Sequence, residues 1–92
     1  MDDILNKIKI ILEKNLDKTK YRFFLYGSRA KWDYNFRSDY DIWVLGDTKI
    51  DILTKSKIEE EFENIPALID FTDFLNVSDE FRELAMMEII DL

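Results

Sequence analysis

The chain has 92 residues, of which 47% are hydrophobic, and its 13 basic and 20 acidic side chains give a net charge of −7. It contains no cysteine and no histidine. This excludes disulfides, zinc sites with thiolate or imidazole ligands, and acid–base chemistry by histidine, and the negative charge disfavours long nucleic acid as a ligand.

The length predicts one domain, residues 1–92. No apolar run approaches the roughly 18 residues that span a bilayer, and the first residues lack the basic region and apolar core of a secretion signal. We therefore expect a cytoplasmic protein without a membrane partner. Its chemistry must come from carboxylates, hydroxyls, lysines or a cation held by oxygen atoms.

The first half of the chain predicts a helix, a strand and a short helix. Residues 3–17 carry apolar side chains at helical spacing, with acidic residues at the amino end. Residues 21–26 are aromatic and end at Gly27, which indicates a strand, and residues 28–34 then favour a short helix.

The second half continues the alternation. Residues 39–45 predict a strand, residues 51–65 a helix stopped by Pro66, and residues 67–74 a third strand. Ser78 opens a last helix that runs through Ile90. The pattern predicts an α/β fold, a mixed sheet of about three to four strands with helices packed on it. Within the second helix, the acidic run at residues 59–61 and 63 is interpreted as a solvated face.

Two aspartates stand where the second strand begins. Asp39 and Asp41 are two residues apart, so their side chains point to the same face, while Tyr40 and Ile42 supply burial on the other. Converging carboxylates form an oxygen-rich pocket that suits a hard cation such as magnesium. The ion would relieve the repulsion between them.

The third strand offers another carboxylate. Asp70 lies among apolar residues, where a charge is costly unless it is paired, solvated or bound to a metal, and Asp73 lies on the opposite face. Together with Asp39 and Asp41, Asp70 could hold two ions that promote an in-line phosphoryl or nucleotidyl displacement.

The turn after the first strand predicts an anion site. Gly27 allows a phosphate to approach the backbone, and Ser28 adds a hydroxyl at the start of a helix. Arg29 and Lys31 place positive charge nearby.

These residues together resemble the minimal nucleotidyltransferases of the DNA polymerase β superfamily. The family pattern is a strand, Gly-Ser, Ala followed by Arg or Lys, usually a Gly, five variable residues, then Ser-Asp-x-Asp and an apolar strand. The residues of this chain that match it are Gly27, Ser28, Ala30, Lys31, Ser38, Asp39 and Asp41. Asp70 matches the third acid of the family, and the resemblance covers nearly the whole chain.

The resemblance implies transfer of a nucleoside monophosphate, AMP from ATP, to an acceptor hydroxyl. Asp39, Asp41 and Asp70 would be both the catalytic residues and the ligands of two Mg²⁺ ions, with Asp70 drawing the proton from the acceptor. Gly27 and Ser28, with Arg29 and Lys31, would bind the triphosphate. Small members of the family work beside a helical HEPN toxin, as antitoxins that transfer AMP to one of its tyrosines, which implies a hetero-oligomer.

Other interpretations stay open. Trp32 stands where the family usually has glycine, which favours a catalytically silent antitoxin that neutralises its partner by contact alone. A transferase acting on a small molecule such as an aminoglycoside is a further alternative, although a short chain leaves little surface for a separate acceptor pocket. Asp39 could instead cap a turn, and Asp70 could be a solvated residue on an edge strand.

Overall fold

The structure is a computed structural model that describes residues 3–27, 39–73, 75, 78–80, 83 and 89–92. The elements in chain order are α1 (Asp3–Asn15), β1 (Tyr21–Tyr26), β2 (Tyr40–Gly46), α2 (Ile52–Phe62), β3 (Ile69–Asp73) and β4 (Ile90–Asp91). The short helix predicted for residues 28–34 lies outside the described residues. No helix in the described ranges is long and apolar enough to cross a bilayer.

The strands form one mixed sheet in the order β3-β2-β1-β4. The β1 strand pairs antiparallel with both β2 and β4, whereas β2 and β3 run parallel. Since parallel neighbours need a crossover connection, α2 joins β2 to β3 across one face of the sheet. The predicted α/β class with a small mixed sheet is confirmed.

Both helices begin as their sequences predict. In α1 an acidic residue, Asp3, lies in the first turn and Lys14 in the last, where each opposes the helix dipole. The α2 helix is capped by Asp51, whose carboxylate accepts hydrogen bonds from the backbone N–H and the hydroxyl of Thr54 at 2.9 and 2.7 Å. These two bonds lower the pKa of Asp51.

The core fills the face of the sheet that both helices cover. Alternate residues of β1 and β2 point into it and meet the buried side chains of α1 and α2, which are Ile8, Leu12, Ile58 and Phe62. The opposite face carries a smaller apolar cluster, in which Trp43 stacks on Tyr26 with ring centroids 4.1 Å apart. Burial on both faces fixes β1 and β2 as the central strands.

The prediction that the last helix continues through Ile90 is wrong. Ile90 begins β4 and lies opposite Leu25 of β1. The backbone N–H of Leu92 also donates to the carbonyl of Phe23 at 2.9 Å. This pairing satisfies the edge of β1, which local helical spacing could not reveal. Asp79, Glu80 and Glu83 are helical, and most of the remaining predicted helix lies outside the described residues.

Candidate active site

The parallel register places two of the predicted acids side by side. Asp41 of β2 and Asp70 of β3 are Cα partners, so their side chains leave the same face of adjacent strands that are about 4.8 Å apart. Asp70 is exposed and Asp41 is partly buried. The sheet thus brings together carboxylates that are far apart in the sequence.

Asp39, the residue before β2, is the third member of the acidic group. It is exposed, and its charge acts on Asp41 together with that of Asp70. Burial is the main cause that raises the pKa of the Asp41 carboxyl, followed by repulsion from Asp70 and then from Asp39. The negative charge of Asp41 is therefore destabilised, and a bound cation would remove that cost.

Gly27 is fitted against this acidic group. Its φ of +87° is a backbone conformation that side-chain-bearing residues rarely adopt. A Cβ atom at this position would also overlap the Oδ2 atom of Asp41. The carboxylate therefore packs over the bare backbone of Gly27, so the predicted anion site begins directly beside Asp41.

The remaining predicted site residues follow Gly27 in the sequence. Ser28, Arg29 and Lys31 lie outside the described residues, as do Ser38 of the family pattern and Trp32, which replaces the usual glycine of that pattern. Their roles stay predictions.

The three carboxylates do not form a ready-made cage. Over the described part of the chain, no group of three acidic side chains is arranged to hold a metal ion directly. The chemistry nevertheless suits magnesium, because carboxylate oxygens are its preferred protein ligands and it keeps several waters while taking further oxygens from a bound phosphate. Coordination by Asp39, Asp41 and Asp70 therefore stays a prediction.

One residue near the site, Leu68, was not predicted to belong to it. Leu68 precedes β3, is 69% exposed, and accepts a hydrogen bond on its carbonyl from the Tyr40 N–H at 2.9 Å. Continuing the register by one residue places it beside Asp39, so an exposed apolar side chain flanks the acids. The sequence signal that could have indicated this neighbour of the acids is a leucine two residues before Asp70.

Asp73 lies on the face opposite to Asp70, as its position in the sequence predicted, and it is 3% exposed. It accepts hydrogen bonds from the backbone N–H groups of Ile50 at 2.8 Å and Leu75 at 3.1 Å. Its role is to fix the connection between β2 and α2 to the end of β3.

Solved structures share this fold. The chain aligns with a toxin–antitoxin crystal structure containing AMP-PNP at a TM-score of 0.75, with 22% identity over 94% of this chain and 69% of the other. It aligns with a complex of a tri-AMPylated Shewanella oneidensis HEPN toxin and an MNT antitoxin at a TM-score of 0.69, with 20% identity over 96% of this chain and 67% of the other.

The sequence comparisons give the family. A relative from Haemophilus influenzae, named "Probable protein adenylyltransferase MntA", is 28% identical over 79 residues, which are 84% of this chain and 68% of that protein. The family model "Polymerase beta, Nucleotidyltransferase" matches residues 6–91. Since that match spans most of the chain and includes the acids and Gly27, the protein belongs to the polymerase beta nucleotidyltransferase family.

Proposed function

We propose that this protein transfers AMP from ATP to a hydroxyl group of an acceptor protein, a tyrosine of a HEPN-type helical toxin, and thereby acts as an antitoxin. The observation that carries the proposal is the pairing of Asp41 with Asp70 next to the bare backbone of Gly27. The similarity to a relative named as a protein adenylyltransferase supports AMP as the transferred group, and the similarity to toxin–antitoxin complexes supports the partner. We place the reaction in the cytoplasm.

The proposed reaction is a single displacement at phosphorus. The acceptor oxygen forms a bond to the α-phosphorus of ATP, the bond from that phosphorus to the pyrophosphate oxygen breaks, and pyrophosphate leaves. The acceptor proton passes to a carboxylate. Asp70 is suited to receive it because it is exposed on an outer strand beside the other two acids.

The three acids would together hold two Mg²⁺ ions. When bound, the ions supply charge neutralisation at the triphosphate and at the leaving oxygen. Asp41 is the ligand that gains most from the cation, because its carboxylate is partly buried and repelled by its neighbours.

The triphosphate would lie over the turn that follows β1. Gly27 leaves room for a phosphate to approach the backbone, as its positive φ and its contact with Asp41 indicate. Ser28, Arg29 and Lys31 would add a hydroxyl and two positive charges.

The test is transfer of label from ATP labelled at the α-phosphate to the partner that co-purifies with the protein. We expect the partner to become labelled, and ATP labelled at the γ-phosphate to give no incorporation. Asp39→Asn and Asp41→Asn should each lower the rate at least about a hundredfold, since each removes a charge from the ion site. Asp47→Asn is the control, because this exposed aspartate lies at the other end of β2.

Two outcomes would contradict the proposal. If the Asp39→Asn and Asp41→Asn proteins still neutralise the toxin as well as the unsubstituted chain, the protein acts by contact alone. If label enters a small hydroxyl compound without any protein partner, the acceptor is a small molecule.

A further inference from the structure

A groove runs along the outer edge of β3. It has a volume of about 350 Å³ and lies between the last turn of α2 and the strand. Asp70 lines it, so the groove and the candidate active site share a residue. Its size is within the range of sites that bind ligands.

Part of the groove is lined by apolar side chains. Phe62 and Phe71 form an apolar floor, with rings packed edge to face at 84° and centroids 5.7 Å apart. Leu68, which is 69% exposed, adds an apolar side chain on the strand side. The exposed leucine and the two rings provide apolar surface that a bound peptide chain would bury.

The rim of the groove is acidic. Glu59 and Glu63, one helical turn apart, line it from α2. Among the described residues neither carboxylate has a hydrogen-bond or ion-pair partner, whereas Glu61 on another side of the helix pairs with Lys14 of α1 at 3.3 Å. Two unpaired glutamates beside Asp70 favour a positively charged ligand.

The strand itself favours an extended ligand. The β3 strand is at the edge of the sheet, and within the described ranges no strand pairs with its outer side. An edge strand presents backbone N–H and C=O groups to which an extended peptide can add as a further strand.

We propose that this groove binds an extended, basic segment of the acceptor protein. Basic side chains of the segment contact Glu59 and Glu63, and an apolar side chain packs on Leu68. This rests on the proposed function, because a segment added as a strand along β3 has side chains on both faces of the sheet, and its hydroxyl-bearing residue would lie on the face of Asp70.

The test is a binding measurement that needs no catalysis. Two fluorescein-labelled peptides of twelve residues are compared by fluorescence anisotropy with the full chain, one with a central tyrosine flanked by lysines and one with the same tyrosine flanked by glutamates. We expect the lysine peptide to bind more tightly, and its binding to weaken as salt is added. Equal binding of the two peptides, or no binding of either, would overturn the proposal.

Matched variants locate the site. The double variant Glu59→Gln with Glu63→Gln should weaken binding of the lysine peptide on the order of fivefold, as loss of two exposed charge pairs predicts. The control with the same change in charge is Glu60→Gln with Glu80→Gln, which leaves the groove intact. If both double variants bind equally, the groove is not the site.

The apolar contact has its own matched pair. Leu68→Ser should weaken binding on the order of tenfold if the leucine becomes buried by the peptide. Leu53→Ser removes another exposed leucine, 82% exposed at the start of α2, and should have no effect. Thermal melts of all variants check that the fold is retained, and equal affinities of the two leucine variants would remove Leu68 from the proposal.

Different experimental outcomes would refute the groove and the proposed function. A chain that binds the lysine peptide through the groove but labels no partner refutes AMP transfer and leaves the groove standing. A chain that labels its partner at an unchanged rate in the Glu59→Gln, Glu63→Gln variant refutes the groove alone.

Discussion

At Asp41, the charged carboxylate lowers the stability of the folded protein, whereas the proposed activity requires it. Its carboxylate is partly buried and is repelled by Asp70 and Asp39. Burial and both repulsions favour the protonated form. A group whose pKa is raised in the folded state binds its proton more tightly there than in the unfolded chain. The folded protein therefore loses stability as the pH rises from the unfolded pKa through the folded one, and at neutral pH the ionised Asp41 is a net cost.

Asp41→Asn is accordingly expected to stabilise the protein while abolishing transfer. At pH 7 with EDTA, the free energy of unfolding should rise by less than about 1 kcal/mol, a small gain because the carboxylate stays partly hydrated. Urea denaturation at pH 7 and pH 4 measures this, and the difference between the two proteins should shrink at the lower pH. A lower stability of the variant at pH 7 would show that the carboxylate is stabilised by a contact rather than repelled.

Gly27 is expected to be intolerant of any side chain. Gly27→Ala combines a positive φ, which costs roughly 1–2 kcal/mol for a residue with a Cβ, with displacement of the Asp41 carboxylate. Stability should fall by at least that amount, and the proposed AMP transfer should fall at least about tenfold because a proposed ion ligand moves.

A double-mutant cycle separates the two causes. Asp41→Ala removes the atoms that the new Cβ would overlap, so Gly27→Ala should cost less free energy of unfolding in that background. Purely additive effects would mean that only the backbone conformation matters at Gly27.

At the scale of elements, β3 is fastened by one buried carboxylate. Asp73 accepts the N–H of Ile50, itself only 8% exposed, so Asp73→Ala would leave a buried donor without a partner. We expect a loss of about 2–3 kcal/mol in the free energy of unfolding by chemical denaturation. Asp73→Asn, which keeps an acceptor oxygen, should lose less, and Asp47→Ala on the exposed loop should lose almost nothing. Equal losses for the alanine and asparagine variants would show that this acceptor is not what matters.

The elements also show where sequence patterns succeed and where they do not. Local spacing, with Gly27 and Pro66 as stops, predicted α1, β1, β2, α2 and β3, because each pattern acts within a few residues. The β4 strand was missed because Ile90 fits a helical spacing equally well, and only its pairing with Leu25, distant in the sequence, makes it a strand.

At the scale of the whole molecule, the site depends on contacts between distant residues. Alternation along each strand predicted which acids share a face, but the side-by-side placement of Asp41 and Asp70 follows from the parallel register. The groove could not be predicted, since it forms only where the end of α2 meets β3. The sequence predicts a solvated face for residues 59–61 and 63. In the structure Glu59 and Glu63 line the groove, Glu61 pairs with Lys14 of α1, and Glu60 is exposed.

Ligand binding should stabilise the whole protein. A nucleotide with magnesium that binds only the folded chain raises its stability by about 2.7 kcal/mol at a concentration one hundred times the dissociation constant. We expect a higher melting temperature with Mg²⁺ and a non-hydrolysable ATP analogue together, measured by differential scanning fluorimetry. The Asp39→Asn and Asp41→Asn proteins should show little of this shift, and Asp47→Asn should show all of it. A full shift without Mg²⁺ would exclude a role of the ion in nucleotide binding.

The edge position of β3 has a further consequence for how the protein loses activity. Within the described ranges the five residues of β3 pair with a strand on one side only. Sub-global opening of such a strand needs far less free energy than unfolding the central strands. Hydrogen exchange should therefore be faster at the amides of Asp70 and Thr72 than at those of Phe24 and Ile42. Because opening of β3 carries Asp70 away from Asp41, mild denaturant should abolish the proposed AMP transfer while most of the fold remains intact.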